Sequence, residues 1–289
     1  MQRRPGNQLR LRLLLLTFAA LCALTVLRFH SAGENFHLHP RPVSTTRVAN
    51  LPRVILWAWE RPEKLDYLNP EKTGVAFLAK TIYLRGDEVV SRPRLQPLTV
   101  PPGADVIAVA RIETDRAVST KLSTKVDLHH AEAPALSTRQ MKAAVAEIAE
   151  LGDLPNVVMV QVDFDATTSQ RSFYRELLSE LRGKLPQSTA LSITALASWC
   201  KGDNWLERLP IDEAVPMLFR MGVERNQFLS QLAAGVPFSA APCQASAGIS
   251  TDEPLSRLPP SQRRQRVYVF NPRPWSPEEV KQTMETYDK

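Results

Sequence analysis

Eight short, continuously apolar segments alternate with amphipathic ones over about 230 residues, a pattern that predicts an α/β protein, a (β/α)8 TIM barrel. Two further observations support that fold class. The apolar runs lack the polar alternation of a half-exposed sheet, so the strands are buried on both faces, as in a parallel sheet. The body of the chain, about 255 residues, also matches the ~250 residues usual for a closed barrel. An open doubly wound sheet is the alternative, but no Gly-rich phosphate loop follows the first strand.

The strands are expected at "RVILWAWE" (53–60), "GVAFLAKTIYL" (74–84), "ADVIAVARIE" (104–113) and "NVVMVQVDFDA" (156–166), then at "ALSITALASWC" (190–200) and "DEAVPMLFRMG" (212–222). A weaker segment, "FSAAPCQASAGIS" (238–250), and "QRVYVFNPRPW" (265–275) complete the eight. Helices are expected between them. "STRQMKAAVAEIAELG" (137–152) has Ser137 as N-cap and Gly152 as a stop. "SQRSFYRELLSELRGKLP" (169–186) has Ser169 as cap and a stripe of Phe173, Leu177, Leu178 and Leu181. "VERNQFLSQLAAG" (223–235) and "SPEEVKQTMETY" (276–287) follow, the last with Pro277 in its first turn and Glu278 and Glu279 facing the helix dipole. Residues 84–105 read as extended structure, and 114–136 as a long irregular connection.

Ahead of the barrel domain, residues 52–289, come two other regions. Arg3, Arg4, Arg10 and Arg12 precede an apolar run from Leu13 to Leu27, so residues 1–30 read as a signal peptide or membrane anchor. At 15 residues the run is short of the roughly 20 that span a bilayer comfortably. Residues 31–51, with Pro40 and Pro42, read as a linker. The basic flank places the body outside the cytoplasm, periplasmic or extracellular, with anchorage in the inner membrane by residues 13–27 if the leader is retained. The net charge of +6 comes largely from this leader, since residues 31–289 carry 31 basic against 30 acidic residues. The high pI is therefore no nucleic-acid footprint. Cys200 and Cys243 are candidates for a disulfide in an oxidising compartment, or else two separate buried thiols. No ligand spacing or cofactor motif calls for a metal or cofactor, and His129 and His130 sit in a polar connection.

Barrel chemistry lies at the C-terminal ends of the strands. There the chain offers Glu60, Glu113, Asp163 and Asp165 as carboxylates for acid–base work, with Trp59, Gln161, Trp199, Arg220, Asp252, Asn271 and Trp275 as groups to hold a ligand. Carboxylates beside tryptophan faces suit a sugar, so the expected partner is a polysaccharide or oligosaccharide. Alternation puts Gln161, Asp163 and Asp165 on the inward face, with Phe164 turned to the helices. Two inward carboxylates disfavour double ionisation, which raises the pKa of one and suits it to general acid work. Asp165, nearer the rim, is the better acid, and Asp163 is either its neighbour in charge or a structural carboxylate. Trp57 and Trp59 fit core packing as well as stacking. Asp203 fits a rim loop or a helix cap, and Asp212 and Glu213, at a strand's entry, read as structural.

Around these residues the chain resembles a bacterial family catalogued as domain of unknown function 3142. The resemblance runs through "VILWAWERPE", "GVAFLA", "QVDFDA", "SQRSFY", "LSITALASWC", "DEAVPMLFRMG" and "STDEP", over roughly residues 53–275. It implies an exported protein grouped with TIM-barrel glycosidases and brings no established reaction. At the level of fold the chain is similar to chitinase-type family 18 glycosidases, whose fourth strand ends in D-x-x-D-x-D-x-E with the Glu as acid. Overlaying Gln161, Asp163 and Asp165 on the last three positions puts Asp165 at that acid and Val158 at the first Asp. The register two residues later puts Thr167 there and leaves no acid. A carbohydrate-active barrel of glycoside hydrolase type is thus the leading expectation, and a non-catalytic glycan-binding or scaffold barrel the alternative.

Overall fold

Eight parallel strands pair in a ring. The computed structural model describes residues 45–114, 133–253, 255 and 265–288, so the leader, most of the linker and His129 and His130 lie outside the described residues. The elements in chain order are α1 (Thr45–Val48), β1 (Val54–Ala58), β2 (Glu63–Lys64), β3 (Thr73–Arg85), β4 (Glu88–Pro93), β5 (Leu98–Thr99) and β6 (Val106–Thr114). They continue with α2 (Thr138–Ala149), β7 (Val157–Asp163), α3 (Arg171–Lys184), β8 (Ala190–Leu196), β9 (Glu213–Met217), α4 (Arg225–Ala233), β10 (Ser246–Ser250), β11 (Arg266–Phe270) and α5 (Pro277–Tyr287). The ring runs β1–β3–β6–β7–β8–β9–β10–β11 and closes by pairing β11 with β1. All eight expected strands are present, and the fold is a closed (β/α)8 barrel.

The differences lie at element ends. Several strands stop short of their expected C-terminal bounds, because a 3-10 turn (Ala197–Cys200) or an irregular loop follows them. The extended segment after β3 is an antiparallel hairpin with β4, and β2 with β5 forms a small separate parallel sheet. The expected linker ends early. Its last residues form α1, with Val48 buried in the inner cluster of the barrel and Arg47 ion-paired to Asp212 at 2.8 Å.

Local sequence accounts for the helices. The Ser137 side chain accepts from the Gln140 amide at the start of α2, and Ser276 and Glu279 form a reciprocal capping box on α5. The α3 cap differs from expectation. A 3-10 turn, Thr168–Gln170, leads into the helix, and Thr167 with Gln170 forms a capping box there in place of the expected Ser169 cap. Phe173, Leu177, Leu178 and Leu181 then bury the expected stripe against the outer faces of the strands. Each fully buried leucine contributes roughly 2 kcal/mol.

Inside the ring, alternate residues form a second apolar cluster that includes Ile55, Trp57, Leu78, Ile107, Val109, Met159, Val215 and Tyr268. Gly248 makes room in it, since a Cβ there would lie 2.9 Å from Cη2 of Trp57. The bottom layer holds a charged pair: Arg266 donates to Glu213, which is wholly buried. Above these layers the strands open into a cavity.

Candidate active site

The cavity at the C-terminal end of the barrel encloses about 350 Å³. Its floor is Trp57, held by a hydrogen-bond chain in which Trp57 Nε1 donates to Gln161 (2.9 Å) and Gln161 Nε2 donates to Ser192 (3.2 Å). Asp163 and Asp165 share one wall with Arg111, while Trp59, Phe219 and Phe270 form an aromatic wall. Phe219 and Phe270 stack with planes 3° apart and centroids at 5.8 Å.

Strand register builds the acidic wall. Arg111 of β6 pairs directly with Asp163 of β7 in the parallel ladder, and both side chains lie on the inward face. From β8, Thr194 donates its hydroxyl to Asp163 Oδ1 at 2.6 Å. Burial lifts the Asp163 carboxyl above the usual aspartate value, against the hydroxyl and Arg111, and the charge of Asp165 lifts it further. Asp165 stands two residues higher and is exposed toward the mouth. Loss of hydration in the concave wall lifts its carboxyl too, and Arg111 opposes the lift. Phe164, between them, faces outward and meets Tyr174 edge-on at 5.1 Å.

The rim is shaped by one unusual residue. Arg220 adopts a left-handed backbone (φ 53°), a conformation costing a non-glycine residue about 1–2 kcal/mol. Glu253 stabilises it by accepting from the Arg220 amide with both oxygens at 3.2 Å. The guanidinium lies 5.2 Å from the Phe270 centroid, and the Arg111 guanidinium lies 5.7 Å from that of Trp59.

Of the residues expected at the site, Asp163, Asp165, Trp59 and Arg220 line this cavity together. Gln161 supports its floor from below. The others are placed elsewhere. Glu60, beyond the end of β1, pairs with Arg92 of β4 at 2.6 Å. Glu113, one pleat above Arg111, pairs with it at 2.9 Å. Neither lines the cavity, which corrects the expectation that one of them partners Asp165. Trp199 is buried edge-on against Trp205 at 4.9 Å, because the 3-10 turn after β8 rotates it into the helix layer. Trp275 is also buried, on a segment folded back over β1, with its Nε1 donating to the Trp57 carbonyl at 3.1 Å. Neither is a stacking face. Asn271 is buried and accepts from the Thr251 hydroxyl at 2.8 Å, and Asp252 accepts from Ser250 beside the rim, 4.0 Å from Arg220. Asp203 pairs with Arg171 at 2.7 Å, away from the cavity, and Asp212 accepts from the Leu191 amide at the bottom of the ring.

Thr194, Phe270 and Phe228 are cavity residues without a motif of their own. Thr194 had a usable signal, since it is two residues beyond Ser192 on the same strand face. Cys200 and Cys243 form a disulfide, their Cα atoms 5.8 Å apart, and so tie the turn after β8, which carries Ala197 and Ser198 of the wall, to the turn before β10. Among the described residues no group of three His, Cys, Asp or Glu side chains is placed to hold a metal ion.

No protein-family model matches the chain, and no curated protein matches it in sequence. The resemblance to the bacterial family therefore rests on the quoted stretches. Among solved structures, the chain is similar to the Bacillus cereus spore cortex-lytic enzyme SleL (14% identity, TM-score 0.42, covering 69% of this chain and 51% of that one). It is also similar to the catalytic domain of a family GH18 chitinase from the fern Peteris ryukyuensis (12%, 0.41, 67% and 80%) and to a GH113 β-1,4-mannanase (10%, 0.44, 80% and 92%). It spans about half the length of the SleL chain. At these identities the likeness is one of barrel architecture alone. That the chain is a TIM barrel stands on its own closed ring of eight parallel strands.

Proposed function

We propose that the protein is an exported, carbohydrate-active barrel that hydrolyses a glycosidic bond with its two cavity aspartates. The observation that carries this reading is the convergence of Asp163 and Asp165 in a cavity with an aromatic wall, at the barrel end where such folds carry chemistry. Loss of hydration raises the Asp165 carboxyl at the mouth, which suits it to carry the acid's proton, while the Thr194 hydroxyl donates to Asp163 and supports its charged form. Asp165 then protonates the leaving glycosidic oxygen. Asp163 takes the proton of the water that adds to the anomeric carbon, and the products are two hydroxyl-ended sugars. The Trp59 and Phe270 faces hold the sugar ring. The disulfide and the basic, then apolar, leader support export to an oxidising compartment.

Asp165→Asn should lower hydrolysis by about 10²–10⁴-fold while leaving saccharide binding nearly intact, measured as reducing-end release and calorimetric binding across a panel of glycans. A second reading, a glycan-binding barrel without hydrolysis, draws on the ion pairs that keep Glu60 and Glu113 out of the cavity. A wild-type protein that binds a glycan and cleaves none in the panel would establish that reading. One that binds nothing would leave an envelope scaffold.

A further inference from the structure

A second cavity, of about 260 Å³, adjoins the first. Ser198 and Phe228 line both, so the two are neighbours along one rim. The rest of the second cavity is Lys201, Gln227 and Gln231. Gln227 and Gln231 stand four residues apart on α4, hence on one face, with Phe228 beside them. Two amides and an aromatic edge match a sugar's ring hydroxyls and its apolar C–H face.

The cations of the two cavities differ in what balances them. Arg111 is paired to Glu113 at 2.9 Å, and Arg220 reaches Asp252 at 4.0 Å. Lys201 is only partly exposed, its Nζ lies 5.5 Å from the Phe228 centroid, and it forms no ion pair among the described residues. Among the described residues the Phe228 ring is the group that faces that ammonium.

Building on the carbohydrate reading above, we infer that the two cavities take an acidic oligosaccharide of at least two residues. One sugar lies over Trp57 beside the aspartates, and the next lies on Phe228 with its anionic substituent at Lys201. The shared chemistry is a carboxylate or a sulfate ester on the second sugar.

The test uses the full chain and trimers of the linkage that the glycan panel identifies: a uronic-acid trimer, a sulfated hexose trimer and the neutral hexose trimer. Calorimetry at low salt should show one anionic trimer bound about fivefold or more tighter than the neutral one, the gain of one partly exposed ion pair. Which anionic trimer wins tells carboxylate from sulfate. Lys201→Gln should bring the ratio close to one, and Lys201→Arg should keep it. Equal affinities in the wild type, or a ratio unchanged in Lys201→Gln, overturns the inference while leaving the hydrolase reading in place. No binding of any trimer removes both.

Discussion

The barrel holds an inward carboxylate at each end of its interior, and the two have opposite surroundings. At the bottom, Glu213 is fully enclosed, paired with Arg266 and close to Ser246 and Tyr268. At the top, Asp163 has a hydroxyl donor on one side and a cavity on the other. Burial raises both carboxyls above their usual values, so a raised pKa by itself separates neither as functional. The difference is access. Glu213 faces packed side chains, and its partner Arg266 is itself closed off by donating to the Val48 carbonyl of α1, whereas Asp163 faces space that a ligand can fill. A perturbed carboxyl marks a site here only where a cavity meets it.

The most severe way to challenge the comparison is to remove the bottom carboxylate. Glu213→Gln leaves the Arg266 guanidinium without its charge partner inside the ring. Breaking a buried pair from one side costs about 3–5 kcal/mol, so denaturant unfolding should show a loss of that order. Saccharide binding by the fraction that remains folded should be unchanged. A loss below about 1 kcal/mol would mean that water reaches the bottom layer, and the contrast between closed and open ends would fail.

An intermediate effect is expected from Gly248→Ala, which probes what lies between the two ends. The new Cβ would meet Trp57 Cη2 at 2.9 Å and Cζ3 at 3.3 Å. The indole has little room to move, since Tyr268 packs at 5.3 Å and Gln161 holds its Nε1. Overpacking of this kind costs typically 1–3 kcal/mol. Because Trp57 is the cavity floor, ligand affinity should fall together with the melting temperature. A loss of stability with affinity untouched would show that the floor is set elsewhere.

How much of this could be read in advance follows the same division. The strands were legible because burial on both faces leaves continuous apolar runs, as in "VILWA" and "VIAVA". The division of Asp163, Phe164 and Asp165 between inside and outside was legible from the two-residue period of a strand. Where the strand ends, the period ends. Trp199 and Trp275 lie in a 3-10 turn and a returning loop, and their side chains follow tertiary packing that no local pattern records. Glu60 and Glu113 sit at correct heights but are drawn aside by Arg92 and Arg111, partners that only the β3–β4 hairpin and the β6 pleat bring close. The disulfide was left open because its Cα separation depends on two turns 43 residues apart in sequence.

The smallest expected effect has the opposite sign and tests the top end directly. The Asp163 carboxyl is raised in the folded protein, so the folded state holds its proton more tightly than the unfolded chain does. That preference stabilises the fold fully at pH below the ordinary aspartate value. It is lost as pH rises through the raised value, leaving a desolvated charge that costs stability near neutrality. Asp163→Asn keeps an oxygen to accept from Thr194 and removes the charge. It should therefore raise the melting temperature at pH 7 by about 2–4 °C, the change that ~1 kcal/mol produces in a domain of this size. The gain should shrink toward zero in scans at progressively lower pH, while hydrolysis is lost at every pH. A variant less stable than wild type at pH 7 would make Asp163 a structural carboxylate held by Thr194 and Arg111, as Glu213 is held by Arg266.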